Sequence, residues 1–140
     1  PMLGDFCTHL HDSSLANEDL IPLCQGQGDE TLFVFHASDG EVSAWLTLAR
    51  HLNANVFGLQ AKSPQRHASL NAMVNDYVDA IRRQQPYGPY VLLGWSYGTF
   101  LAAGAAQALY HLGEQVRVVL IDPVCQQDFS YENQSALLHL

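Results

Sequence analysis

The stretch that most constrains this 140-residue chain is Tyr90-Val-Leu-Leu-Gly-Trp-Ser-Tyr-Gly-Thr-Phe100. Tyr90 to Leu93 is an apolar run of the kind that forms a buried strand, and Thr99 to Leu112 is an alanine-rich helix pattern. Between them, Gly94-Trp95-Ser96-Tyr97-Gly98 fits G-x-S-x-G, the sharp strand-to-helix elbow that carries a nucleophile. The two glycines let strand and helix approach each other without Cβ atoms in the way. A serine at the apex is lifted clear of the backbone. The N–H of the next residue, Tyr97, falls at a helix N-terminus, where negative charge is stabilised. The pattern alone is short and arises by chance. The strand before it and the helix after it make it specific, and the bend predicts Ser96 as a nucleophile with the Tyr97 N–H as an oxyanion donor.

The rest of the chain supplies the sheet that such an elbow needs. Thr31-Leu-Phe-Val-Phe35 is a short apolar run, the signature of a strand covered on both faces; Asn55-Val-Phe-Gly-Leu59 reads as the next strand and Val116 to Ile121 as the last clear one. Trp45, Leu46, Leu48, Ala49 and Leu52 recur at helical spacing and predict a helix over about Val42 to Leu52. Ser69 can cap a second helix, whose apolar stripe of Leu70, Met73, Val74, Tyr77 and Ile81 continues to about Gln84. Pro86-Tyr-Gly-Pro89 ends it, and Gly113 sits where a glycine closes the elbow helix. Strands alternating with helices imply a parallel sheet with right-handed crossovers and helices on both faces. Pro1 to Gly28 reads as a polar linker or N-terminal arm, with a weak helical hint at Leu15 to Leu20. One domain then occupies residues 29–140, and its last residues carry the apolar start of a further helix.

Composition removes several classes of function. A net charge of −8 with only six Lys and Arg argues against nucleic acid or an anionic membrane as partner. No apolar segment reaches the length of a membrane span, and no signal peptide opens the chain. Cys7, Cys24 and Cys125 are odd in number without C-x-x-C spacing, which predicts free thiols in a reducing, cytoplasmic compartment and no metal site. Neither G-x-x-x-x-G-K-[ST] nor G-x-G-x-x-G occurs, so the usual nucleotide readings fall away.

In an open α/β sheet, ligands bind at the carboxyl ends of the strands. Three interesting positions lie there: the His36-Ala-Ser-Asp-Gly40 loop, Ser96 and Asp122. Asp122 would orient a histidine, although an aspartate before Pro123 also suits a plain turn. Ala37 or Ser38 would supply a second oxyanion N–H, although the loop could be an ordinary connection. The general base is not evident. His36 reads as structural, His51 and His111 as favourable end charges of helices, and His67 as a loop residue. His9 and His11 precede the sheet. His139 follows Asp122 in the order Ser, Asp, His, but only 139 − 122 = 17 positions on, with no strand between.

Taken together, Leu32-Phe-Val-Phe-His-Ala-Ser-Asp-Gly40, Val56-Phe-Gly-Leu-Gln60, Tyr77-Val-Asp-Ala-Ile81, Gln85-Pro-Tyr-Gly-Pro-Tyr-Val-Leu-Leu-Gly-Trp-Ser-Tyr-Gly98 and Val119-Leu-Ile-Asp122 resemble the thioesterase domains that end non-ribosomal peptide synthetases, polyketide synthases and fatty acid synthases. The resemblance runs from about Leu20 to Cys125. It implies an α/β-hydrolase fold and an acyl-serine at Ser96. It places the triad acid at Asp122 and the oxyanion amides at Tyr97 and at Ala37 or Ser38, with Ser38 preferred. It also implies no cofactor of the domain's own, the substrate arriving on the phosphopantetheine arm of a carrier protein and leaving by hydrolysis or cyclisation. Ala37 departs from the family's usual proline, which leaves the backbone N–H intact. The larger departure is length: the lid, further strands and the catalytic histidine would follow Asp122, so the chain looks like the N-terminal part of such a domain, nearly inactive alone. The alternatives are a half-domain completed by another chain or by dimerisation, and a non-catalytic module that docks a carrier protein.

Overall fold

The computed structural model describes residues 19–61 and 68–123. Five strands and three helices follow in the order β1 (Leu20–Cys24), β2 (Thr31–Phe35), α1 (Trp45–His51), β3 (Asn55–Leu59), α2 (Leu70–Gln84), β4 (Tyr90–Trp95), α3 (Gly98–His111) and β5 (Val116–Ile121). They build one sheet in the order β1-β3-β2-β4-β5. β2, β3, β4 and β5 are parallel, and β1 runs antiparallel along β3. The architecture is the α/β-hydrolase-type sheet expected, with one antiparallel strand added at its edge.

Alternation along the central strands divides the core in two. Phe33 and Phe35 face the layer of α2 and α3, where they pack with Leu59, Tyr77, Tyr90, Leu92 and Leu101. Leu32 and Val34 face the layer of α1, with Val56, Leu93, Trp45 and Ala49. Both sets are buried, which is why β2 reads as an unbroken apolar run rather than an alternating one. α2 begins where Ser69 Oγ accepts the Ala72 N–H at 3.1 Å, and α3 ends at Gly113, whose φ of 86° suits a residue without a Cβ.

Three local expectations change. Most of the helical hint at Leu15 to Leu20 lies outside the described residues, but its last residue, Leu20, opens β1, so a strand lies inside the stretch read as an irregular arm. Pro22 lowers the strand signal of Leu20-Ile-Pro-Leu-Cys24, yet proline is tolerated on an edge strand, and the β1–β3 register slips between Pro22 and Cys24. α1 starts at Trp45 rather than Val42, because Val42 and Ser43 form single turns that hand over to the helix. Cys24, expected as a free thiol, is disulfide-bonded and 1% exposed. Cys7 and Cys125 lie outside the described residues. Among the described residues, no helix is long and apolar enough to cross a membrane.

Candidate active site

The elbow forms because its neighbours are glycines. A Cβ on Gly94 would run into the Gly98 carbonyl, and one on Gly98 would lie 2.6 Å from His36 O and 2.9 Å from Phe35 O. Strand, helix and the start of the β2–α1 loop therefore meet backbone to backbone. Ser96 takes φ 54°, a left-handed conformation that non-glycine residues rarely adopt outside a forced turn. Its carbonyl accepts both the Thr99 N–H (3.0 Å) and the Thr99 hydroxyl (2.7 Å), which fixes the bend to the first turn of α3. Ser96 is half-buried rather than sealed in the core.

Asp122 stands beside it. Trp95 and Ile121 are register partners in the parallel β4–β5 pair, and the Ser96 N–H donates to Ile121 O at 3.2 Å. Ser96 and Asp122 are therefore the next residues of adjacent strands, one strand spacing of about 4.8 Å apart in the backbone. Asp122 is exposed and also left-handed, with φ 49°. Two neighbouring strands thus end in the same unusual conformation at the same level.

The third component is the loop after β2. The His36 N–H donates to Leu59 O (3.1 Å), and Trp45 Nε1–H donates to Phe35 O (2.9 Å), so the start of the loop is held by the neighbouring strand β3 and by α1. Ala37-Ser-Asp-Gly40 is a turn in which Gly40 N–H donates to Ala37 O at 3.1 Å and Gly40 has φ 79°. Ala37 is buried and Ser38 exposed. The contact of Gly98 with His36 O sets this loop against the elbow, so Tyr97, Ala37 and Ser38 share one end of the sheet with Ser96 and Asp122. Tyr97 is the N-cap of α3, so its N–H sits at the N-terminal end of that helix, where the helix dipole favours negative charge. Burial pushes the Tyr97 phenol above its usual range, so its ring is neutral where the site would work.

The described histidines do not supply a base. His51 and His111 occupy the last turns of α1 and α3, helices that run back from this edge toward the other end of the strands. His36 is 2% exposed, with Nδ1 2.6 Å from Ala37 O and Nε2 2.8 Å from the Tyr77 hydroxyl, so both ring nitrogens are engaged. His67 and His139 lie outside the described residues. Tyr77 is the residue sequence reasoning missed. Its place in the apolar stripe of α2 marked it as core, and its hydroxyl partner is 41 positions away. Among the described residues, no group of three or more His, Cys, Asp or Glu side chains is placed to hold a metal ion. A cleft of about 320 Å³ opens beside the elbow, lined by Ala44, Trp45, Leu48, Trp95 and Ile121.

Known proteins share sequence and fold with much of this chain. Enterobactin synthase component F of Escherichia coli (strain K12) is 38% identical over 105 residues, 71% of this chain and 8% of its own length. Malpinin synthetase of Mortierella alpina is 38% identical over 108 residues, 73% of this chain and 1% of its own. Among solved structures, the NocB thioesterase domain in covalent complex with a fluorophosphonate nocardicin G analogue superposes with a TM-score of 0.63 at 29% identity, covering 69% of this chain and 45% of that one. A four-domain nonribosomal peptide synthetase, AB3403, gives a TM-score of 0.71 at 28% identity over 77% of this chain and 9% of its own. The chain thus spans a small fraction of the synthetases and about half of an isolated domain. The thioesterase domain family model matches residues 30–137, and with the elbow, the paired strand ends and the β2 loop in place, the chain belongs to that family.

Proposed function

We propose that this chain carries the nucleophile, the acid and the oxyanion donors of an acyl-serine thioesterase acting on thioesters of a carrier protein's phosphopantetheine arm. Ser96 Oγ attacks the thioester carbonyl. The tetrahedral oxyanion is received by the Tyr97 N–H and by a β2-loop N–H, at Ser38 or Ala37. The C–S bond then breaks, and the pantetheine thiol leaves with a proton. Water, or a nucleophile within the chain being released, attacks the acyl-serine and frees Ser96. Asp122 orients the histidine that moves these protons. That histidine is not one of the described residues; where no such base completes the site, turnover is expected to be very low. By the behaviour of triads elsewhere, loss of one member costs about 10⁴- to 10⁶-fold.

The observation that carries this reading is the pairing of Ser96 with Asp122, adjacent at the ends of β4 and β5 and both in left-handed backbone. The test is acyl-pantetheine hydrolysis, with Ser96→Ala as background and exogenous imidazole added to stand for the base. Little turnover without imidazole, and Ser96-dependent turnover with it, is expected. Turnover unchanged in Ser96→Ala rejects the nucleophile, and robust turnover without imidazole rejects the missing base.

A second reading, a half-site completed from outside, is favoured by β5. Among the described residues nothing pairs with its outer edge, and Val118, Val119, Leu120 and Ile121 are each about two-fifths exposed. The occupant that fits is the remaining part of a thioesterase domain, since this chain covers 45% of one solved NocB thioesterase structure and 61% of another.

A further inference from the structure

His36 is buried among groups that use every polar atom of its ring. A carbonyl oxygen only accepts, so the 2.6 Å contact with Ala37 O means that Nδ1 carries a proton and donates it. In the neutral imidazole Nε2 is then an acceptor, and the Tyr77 hydroxyl at 2.8 Å donates to it. The same ring stacks on Tyr97 (centroids 6.4 Å apart, 26° between planes) and meets Tyr77 edge-on (5.7 Å, 85°). It therefore bridges α2, the β2 loop and the elbow.

The direction of the Ala37 carbonyl follows. It accepts from His36 Nδ1–H and from the Gly40 N–H at 3.1 Å, so it is held from two sides. The Ala37–Ser38 peptide is planar and trans, so its N–H points opposite to its C=O. With the carbonyl drawn onto the buried imidazole, the Ser38 N–H is turned the other way, outward at the carboxyl edge of the sheet. Among the described residues it donates to no acceptor.

We infer that His36 and Tyr77 form a positioning pair that aims the Ser38 N–H as the second oxyanion donor, in preference to Ala37. The inference rests on the oxyanion reading above and assigns His36 no part in proton transfer. Tyr77 O–H locks the Nδ1–H tautomer, the tautomer locks the Ala37 carbonyl, and the peptide plane transmits that orientation to Ser38.

The test has two arms on the 140-residue chain. In the first, ¹⁵N NMR reads the His36 tautomer and the Ser38 amide in wild type and in Tyr77→Phe. The expected result is a proton on Nδ1, and a Ser38 amide that shifts when the hydroxyl is removed. A proton on Nε2, or an unmoved Ser38 amide, overturns the inference. In the second, acyl-pantetheine hydrolysis with added imidazole is measured for His36→Ala, His36→Asn and Tyr77→Phe. Removal of one oxyanion donor costs about 10²- to 10³-fold in kcat, so misaiming it in His36→Ala is expected to lower kcat by about 10²-fold with KM unchanged. His36→Asn keeps a side-chain N–H for Ala37 O and recovers most of the rate. Unchanged kcat in a folded His36→Ala, or a loss confined to KM, overturns the inference. Absence of any Ser96-dependent turnover in wild type counts against the acyl-serine reading instead, and the NMR arm then decides the hydrogen-bond chain by itself.

Discussion

At the scale of single residues, the site is held by atoms that are missing. Gly98 lies at the crossing of α3 with the end of β2, where a Cβ would come within 2.6 Å of one backbone oxygen and 2.9 Å of another. Neither obstacle is a side-chain end that can swing away, so the helix or the loop must shift. Overpacking of this kind costs about 1–3 kcal/mol. Gly113 is the counterpart: nothing lies within 4 Å of its would-be Cβ, and only its φ of 86° resists substitution, at about 1–2 kcal/mol for left-handed backbone. Gly98→Ala is therefore expected to lower Tm by roughly 5–10 °C and also to weaken Ser96-dependent hydrolysis with added imidazole, because it moves the loop and the elbow apart. Gly113→Ala is expected to lower Tm and leave that hydrolysis alone. Thermal melts beside the thioester assay separate the two effects, and equal activity losses in both variants would refute the distinction.

At the scale of elements, α2 does two things: it covers one face of the sheet and it carries Tyr77 to His36. Its start depends on one cap, Ser69 Oγ to the Ala72 N–H at 3.1 Å, in extended backbone (φ −159°, ψ 166°). Ser69→Ala is expected to destabilise the chain by about 1 kcal/mol, read as a shift in urea midpoint with an unchanged slope. An unchanged midpoint would mean that the first turn is held by packing instead. This cap was legible in the sequence, as were the bounds of β2, β3 and β5, because each strand is an apolar run closed by turn residues. β1 was not legible, since Pro22 mimics a loop and only the edge position excuses it. In the site, the end positions of β2, β4 and β5 pointed to His36, Ser96 and Asp122, because topology brings carboxyl ends together whatever the side chains. The role of Tyr77 could not be read. One hydroxyl on an apolar stripe has no sequence pattern, and its partner is fixed by tertiary packing alone.

At the scale of the whole molecule, the balance of charge and apolar surface sets what the chain does in solution. A net charge of −8 opposes association at long range. β5 works against it locally: Val118 (38% exposed), Val119 (42%), Leu120 (41%) and Ile121 (40%) alternate across both faces of a strand whose outer edge pairs with no described residue. Five of the six residues of β5 are apolar, Arg117 being the one charge, and an apolar edge of this kind without proline is a template for another strand. On the α1 side, Ile121 continues into Trp95 and Leu48 around the cleft, so an incoming strand would be flanked by apolar surface for a helix as well. At ordinary ionic strength the repulsion is screened beyond about 8–10 Å, whereas the edge acts at contact. Association is therefore expected to rise with added salt, as well as with concentration. Sedimentation equilibrium of the chain should show a weight-average mass above that of the monomer at high concentration. Val119→Lys places a charge on that strand, as natural edges do, and should return the mass to monomer without lowering Tm, because Val119 is already well exposed. A wild-type chain that stays monomeric in high salt at every concentration would mean that β5 is not an open edge, and the half-site reading would lose its support.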